Sequence, residues 1–528
     1  MADRHSVIVA HDVGTSGVKT VLTDLDGRRL ATHLETYPSL RFPRPGWVEQ
    51  DAEDWWRAIC RGTRAVTRDL PGGAVACLTF STQMMTLVPL SAGGEVVRPP
   101  LSWLDGRAGD QARAVMRRFG GRRLFGRLAG ATLSGKDGIP KLRWLRDREP
   151  DTWRRMACFV DTNGYLLLRA TGRIAMEWSG AAAFGFDLKG KRWMEGVFRY
   201  SGIDPAKLPP LVRSIDTVGG ATAGAASELG VSEGTPIVAG MGDVPAAAIG
   251  AGAVRDGDGH LYLGTSGWIG VLTRRHPTGR HGVAVIQSGD PERNLLVGET
   301  ESGGQCVGWI AANLYPARDR GGATQGDGTG SDGAGGDGEP ASAAYAEMDR
   351  DAAGVPPGSS SLLFTPWMAG ERVPVTDLAL RAGFLNLGLE HRREHLVRSV
   401  FEGVSLNLRW TLERFERDFQ MAPQELRVVG GGARSPVWMQ ILADVTGRWV
   451  ETVTDPQDAG AVGAALGAGV ALGIHQDFAD LRSVVSVGAT YEPNPDNRAV
   501  YDALYLEYRH AYRRLRGLYH ELNERPVA

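Results

Sequence analysis

Disulfide or zinc chemistry has little raw material here: 528 residues hold four cysteines, Cys60, Cys77, Cys158 and Cys306, with no Cys-x-x-Cys pair. They read as small core residues in a reducing compartment. Long apolar runs are missing too. Residues 7–10 are too few for a signal segment, and residues 459–474 are apolar but short and glycine-rich. The expectation is a cytoplasmic protein with no membrane partner. Neither sign of charge dominates: the formal net charge is −2, which gives no electrostatic case for nucleic acid. A Gly-x4-Gly-Lys-Ser/Thr loop is absent, which excludes a P-loop enzyme. Glycine is plentiful, at 71 residues, and where it falls carries the information.

The length predicts two or more domains. The chain opens with an apolar strand, a turn "DVGTSG", a second strand over residues 18–24, an Asp26-Gly27 turn and a third strand over 28–36. An Asp-Gly pair between β-rich runs signals a hairpin. "DAEDWWRAICRGTRAVTR" is an amphipathic helix with an acidic first turn, and "AVACLTFST" a buried strand. Near residue 256 the opening is echoed: "GHLYLGTSGWIGVLTRR" again reads strand, GTSG, strand, which points to duplication. Residues 318–344 have low complexity and few apolar side chains, and read as a disordered insertion. Residues 392–419, the small-residue run "GAVGAALGAGVALG" and the C-terminal end read as helices.

Three glycine turns follow apolar strands, with backbone amides able to face an anion. They hold Gly14, Thr15 and Ser16; Gly264, Thr265 and Ser266; and Gly431, Gly432 and Ala433. Asp12, at the end of its strand, suits a magnesium ion held through water. Ser435-Pro436 supplies a helix N-cap and N1 residue behind the third loop. Asp243 sits alone in "GMGDVPAAAIGAGA", a carboxylate among small apolar residues.

Taken in order, "HDVGTSGVKTVLTDLDG", "GWVEQDAEDWW", "LSWLDGRAGDQ", "GMGDVPAAAIGAGA", "LGTSGWIG", "PWMAGERVPVTDLALRAGFLNL" and "VVGGGARSPVWMQILADVTGRWVE" resemble the FGGY carbohydrate kinase family over nearly the whole chain. The xylulokinases are the most similar subgroup. The resemblance implies an α/β fold of two RNase-H-like, actin/hexokinase-type domains around a deep cleft. Residues 1–253 would bind sugar and carry the catalytic base, residues 254–490 would bind ATP, and 491–528 would form a terminal helix. ATP and Mg2+ are the implied cofactors. Asp243 matches the family's base, which also faces the metal, and Asp12 its Mg-site aspartate. The three glycine turns match its nucleotide loops. Dimers, common in the family, leave a homodimer open.

The implied substrate is a small sugar or polyol. Gln83, Met84, Met85, Trp103, Asp105, Arg107, Asp243 and Val244 fall on the family's sugar-site segments. Asp105 and Arg107 equally suit a structural ion pair. Two positions depart from the xylulokinase pattern: Met85 replaces a histidine and Val244 an asparagine. Both put apolar groups where polar sugar contacts are expected, so the substrate is D-xylulose or another ketose or polyol of the ribulose, erythrulose, glycerol or erythritol type. The alternative of another class is a non-catalytic sugar or nucleotide sensor on the same fold.

Overall fold

The strand Val7–Val13 is buried along nearly its whole length because it lies inside a sheet covered on both faces. The computed structural model describes residues 6–38, 40–121, 124–125, 132–315 and 339–524. Val7–Val13 pairs antiparallel with Gly17–Thr23, which pairs antiparallel with Arg29–Thr36. Asp24 Oδ1 accepts the Asp26 and Arg28 amides, and Gly27 takes φ of 81°, so the Asp26-Gly27 turn closes the hairpin as its composition predicts. On the other side Val7–Val13 runs parallel to Val75–Thr82, which is parallel to Pro236–Val238.

The second sheet repeats this plan. Gly259–Leu263, Gly267–Thr273 and Asn294–Thr300 form the antiparallel meander, and Glu425–Val429 and Trp449–Val453 follow in parallel. Each sheet adds an antiparallel strand at its parallel end, Thr217–Gly220 in the first and Val487–Tyr491 in the second. The duplicated GTSG turns therefore occupy the same hairpin of two copies of one topology.

Two helices exchange partners between the sheets. Asp243–Gly250 buries Ala247 and Ala248 against Trp268, Leu272, Leu295 and Val297 of the second sheet. Ala459–Ala471, later in sequence, buries Ala461, Ala464, Ala465 and Ala468 against Ile8, Ala10, Val21 and Cys77 of the first. The helices cross where Gly250 and Gly463 meet: a Cβ on Gly250 would strike the Ala459 carbonyl, and one on Gly463 the Ala246 carbonyl. The small-residue composition of both stretches is what lets two backbones touch. Nearby, Asp458 is pinned by Lys19 at 3.1 Å and by Arg29 at 2.5 Å, tying the first sheet to the loop before the second helix.

The long helix Arg393–Phe419 and the C-terminal helix Arg498–Glu524 form as their apolar spacing predicts. Residues 318–338 of the low-complexity segment lie outside the described residues. Its last part is corrected: Glu339–Ala353 is a helix that buries Met348 and Ala352 in the second core. The alanine-rich run helps form the helix that the neighbouring glycines conceal in a composition window. No helix among the described residues is long and apolar enough to cross a membrane.

Candidate active site

Asp243 opens its helix directly after the two-residue strand Met241–Gly242, which pairs with the C-terminal end of Val75–Thr82. Its Oδ1 accepts the Val244 amide at 2.9 Å. Beneath it, the Gly242 amide donates to Ser179 Oγ at 2.9 Å, and that hydroxyl donates to Glu177. Burial first, and then the Asp12 carboxylate, push the Asp243 carboxyl up to about 7. Replacing Ser179 with alanine removes the acceptor that fixes Gly242. The expected result is a drop in kcat of about tenfold with the KM for nucleotide unchanged, and an unchanged kcat would show that the Ser179 hydroxyl only braces Glu177, the cap of its helix.

Asp12 stands one residue before the end of its strand. Its Oδ1 accepts from Ser81 Oγ at 2.7 Å, and its Oδ2 faces Gly460, where a Cβ would come within 2.6 Å. Burial raises its pKa, with Ser81 and Lys19 acting in the opposite sense. Tyr262, on the matching strand of the second sheet, feels the charge of both Asp12 and Asp243. Its ring stacks on Trp268 at 4.0 Å. The two strand ends and the Asp243 helix therefore converge on one small volume.

The first GTSG turn closes with Gly14 N–H donating to the Gly17 carbonyl at 3.0 Å, leaving Thr15 and Ser16 at the tip. Tyr37 Oη donates to the Gly14 carbonyl, Gln50 Nε2 donates to the Thr15 carbonyl at 2.9 Å, and Trp103 Nε1 donates to Thr15 Oγ1 at 3.1 Å. Gln50 Oε1 in turn accepts from Gln83 Nε2 at 2.8 Å. The second GTSG turn closes with Gly264 N–H to the Ser266 carbonyl and receives the Gly304 and Gln305 amides on its Gly264 and Thr265 carbonyls. The third loop packs against this turn's strand: a Cβ on Gly432 would press on Leu263, and Gly430 takes φ of 91° beside the Leu263 carbonyl. Gly431–Arg434 forms one 3-10 turn, and Ser435 caps Pro436–Thr446 by accepting the Trp438 amide.

The model for the N-terminal domain of the FGGY family of carbohydrate kinases matches residues 7–250, and that for its C-terminal domain matches residues 259–472. The chain belongs to the FGGY family of carbohydrate kinases. It is thereby an ATP-dependent carbohydrate kinase with two actin/hexokinase-type lobes. A xylulose kinase of Lactococcus lactis subsp. lactis is 29% identical over 526 residues, covering 98% of each chain. A gluconokinase of Bacillus subtilis is 25% identical over 491 residues, covering 93% of this chain and 92% of that one. The crystal structure of a xylulose kinase from Rhodospirillum rubrum superposes with a TM-score of 0.84 at 28% identity, covering 97% of this chain and 100% of that one.

In this FGGY kinase the remaining sequence-predicted residues divide. Met84 lies on Gly242, where a Cβ would strike its side chain, so it borders Asp243. Met85 is half-buried with a left-handed φ of 64°. Gln83 Oε1 is buried and finds no donor among the described residues, an acceptor suited to a sugar hydroxyl. Val244 turns toward the Trp268 cluster. Asp105 and Arg107 have fully buried side chains paired at 2.7 Å. Arg107 also reaches Glu49 at 2.8 Å and covers the Trp47 ring, while Asp105 accepts the Val48 amide. Both groups are thus engaged within the protein, in the ion pair left open by the sequence. Tyr37, Gln50, Ser81, Ser179 and Tyr262 escape a reading of the sequence, because single polar residues far apart in the chain carry no local signature.

A magnesium ion fits the donor set. Asp12 and Asp243 offer hard carboxylate oxygens whose mutual repulsion a cation would relieve. No group of three or more His, Cys, Asp and Glu side chains gathers for a metal among the described residues. Two carboxylates match an ion that keeps most of its water and binds phosphate oxygens.

Proposed function

We propose that this kinase transfers the γ-phosphoryl group of ATP to a hydroxyl of a ketose, with D-xylulose to D-xylulose 5-phosphate as the leading reaction. The observation that carries the reading is Asp243, a carboxylate raised toward neutrality at the meeting point of two phosphate-loop hairpins. The sugar oxygen bonds to the γ-phosphorus, the bond to the ADP oxygen breaks, and the hydroxyl proton passes to Asp243. Bound between Asp12 and Asp243, magnesium would neutralise phosphate charge. Gly14, Thr15 and Ser16, and Gly264, Thr265 and Ser266, would present backbone amides to the phosphates, and the loop Gly431, Gly432 and Ala433 would hold the nucleoside end. Gln83 and Trp103 orient the sugar beside the first turn. The two relatives named xylulose kinase, which cover nearly all of this chain, support the ketose.

Met84 and Met85 give the acceptor pocket apolar groups, and Val244, turned into the Trp268 cluster, offers the sugar no polar contact, so the expected outcome is D-xylulose turnover shared with other ketoses. The test is sugar-dependent ADP release with D-xylulose, ribulose, erythrulose, glycerol, erythritol and gluconate. Strong turnover of D-xylulose alone would overturn the shared specificity. Binding of both ligands without sugar-dependent ADP release would make the protein a sensor.

A further inference from the structure

We infer that Lys141 is a positioning residue for the acceptor sugar, whose ammonium group locks together the two chain segments that form the sugar pocket. The inference rests on the sugar-kinase reading above and adds a residue to it. Lys141 projects from the helix Gly138–Arg148 and is fully buried. Its Nζ donates to the Met85 carbonyl at 2.9 Å and to the Ser102 carbonyl at 2.8 Å. These carbonyls belong to segments that reach the site from different directions. One carries Gln83 and Met84, with Met84 resting on the residue before Asp243. The other carries Trp103, which holds Thr15 in the first GTSG turn.

The Met85 turn needs holding. A side-chain-bearing residue at φ of 64° has left the favoured regions. One cation beneath both carbonyls fixes that turn and sets its spacing from Trp103. Core stability alone is poorly served this way. Taking an ammonium out of water is costly, and among the described residues Lys141 forms no ion pair, the nearby Asp105 being engaged by Arg107. The cost shows in its titration. Burial pushes the group down to about 7, while Asp105 and Asp137 favour its charge and Lys136 and Arg107 oppose it. An apolar side chain of the same length would fill the space without that cost but would leave the Met85 carbonyl without a donor and the Ser102 carbonyl with only the Asp105 amide, at 3.0 Å.

The test is steady-state kinetics of Lys141→Met and Lys141→Gln, using the ketose or polyol that the wild type turns over fastest. In K141M the sugar KM is expected to rise about tenfold or more, with kcat and the KM for ATP changing less than about threefold. K141Q, which keeps an N–H for one carbonyl, should give an intermediate sugar KM and keeps the comparison available should K141M fail to fold. A sugar KM within twofold of wild type in a folded variant overturns the inference. So does a parallel rise of both KM values with a lowered Tm, the mark of general loosening. A wild type that phosphorylates no sugar defeats the kinase reading itself, whereas an active wild type with unaffected variants defeats the role of Lys141 alone.

Discussion

Asp243→Asn is expected to lower kcat about a thousandfold or more while leaving the fold and ATP affinity within about twofold of wild type. The loss follows from the proton. At the moment the sugar oxygen bonds to phosphorus its proton needs an acceptor, and asparagine offers none at that position. Retention of the fold follows from the direction of the pKa shift. Burial and the Asp12 carboxylate raise the Asp243 pKa to about 7, so the ionised side chain is less stable in the folded protein than in the unfolded chain. That destabilisation is absent below the unfolded pKa and grows as pH rises toward the folded pKa. A neutral amide escapes it, and the Tm of D243N at pH 8 should equal or exceed that of wild type. The same shift fixes the sign of the pH dependence: protonated Asp243 accepts nothing, so turnover falls as pH drops through neutrality. Stopped-time ADP release, calorimetric ATP binding and thermal melts decide the matter. A variant retaining more than about a tenth of wild-type kcat would remove Asp243 from the base role.

What the sequence makes legible is local. The GTSG turns, the Asp26-Gly27 hairpin and the Ser435-Pro436 helix start depend on a few adjacent residues, and each forms as its composition predicts. Asp243 stands out because a carboxylate in a run of small residues is an anomaly of composition. The reason for the small residues is not legible there. It lies in Gly463, more than 200 positions away, whose bare backbone meets Ala246 and Gly250. Likewise, nothing local distinguishes Lys141 from any helical lysine until two distant carbonyls are seen to converge on it. The linear division near residue 253 also conceals the exchange of helices between sheets, because hydrophobic periodicity reports that a face is buried but not against what.

Gly463→Ala should therefore destabilise the protein even though alanine is the better helix former by about 1 kcal/mol. The Cβ it adds would run into the Ala246 carbonyl and press on the Gly250 amide. These are backbone atoms of a packed helix and cannot swing aside as a side-chain tip could. Overpacking of this kind costs about 1–3 kcal/mol, and Gly463→Val should exceed that range. Function should suffer further, because both helices carry the site at their N-terminal ends. Asp243 begins one, and Gly460, against the Asp12 carboxylate, lies in the first turn of the other. Forcing the crossing apart separates the two carboxylates that the proposed chemistry needs together, and G463V is expected to lose at least about a hundredfold in kcat/KM. Gly224→Ala is the control. It lies in the helix Ala223–Leu229, and a Cβ added there would meet nothing within 4 Å, so helix propensity alone should act and the Tm should hold or rise. Thermal melts of G463A and G224A side by side carry opposite expected signs. If both variants melt at or above the wild-type temperature, the backbone contact between the two helices does not limit the fold, and the small residues around Asp243 need another cause.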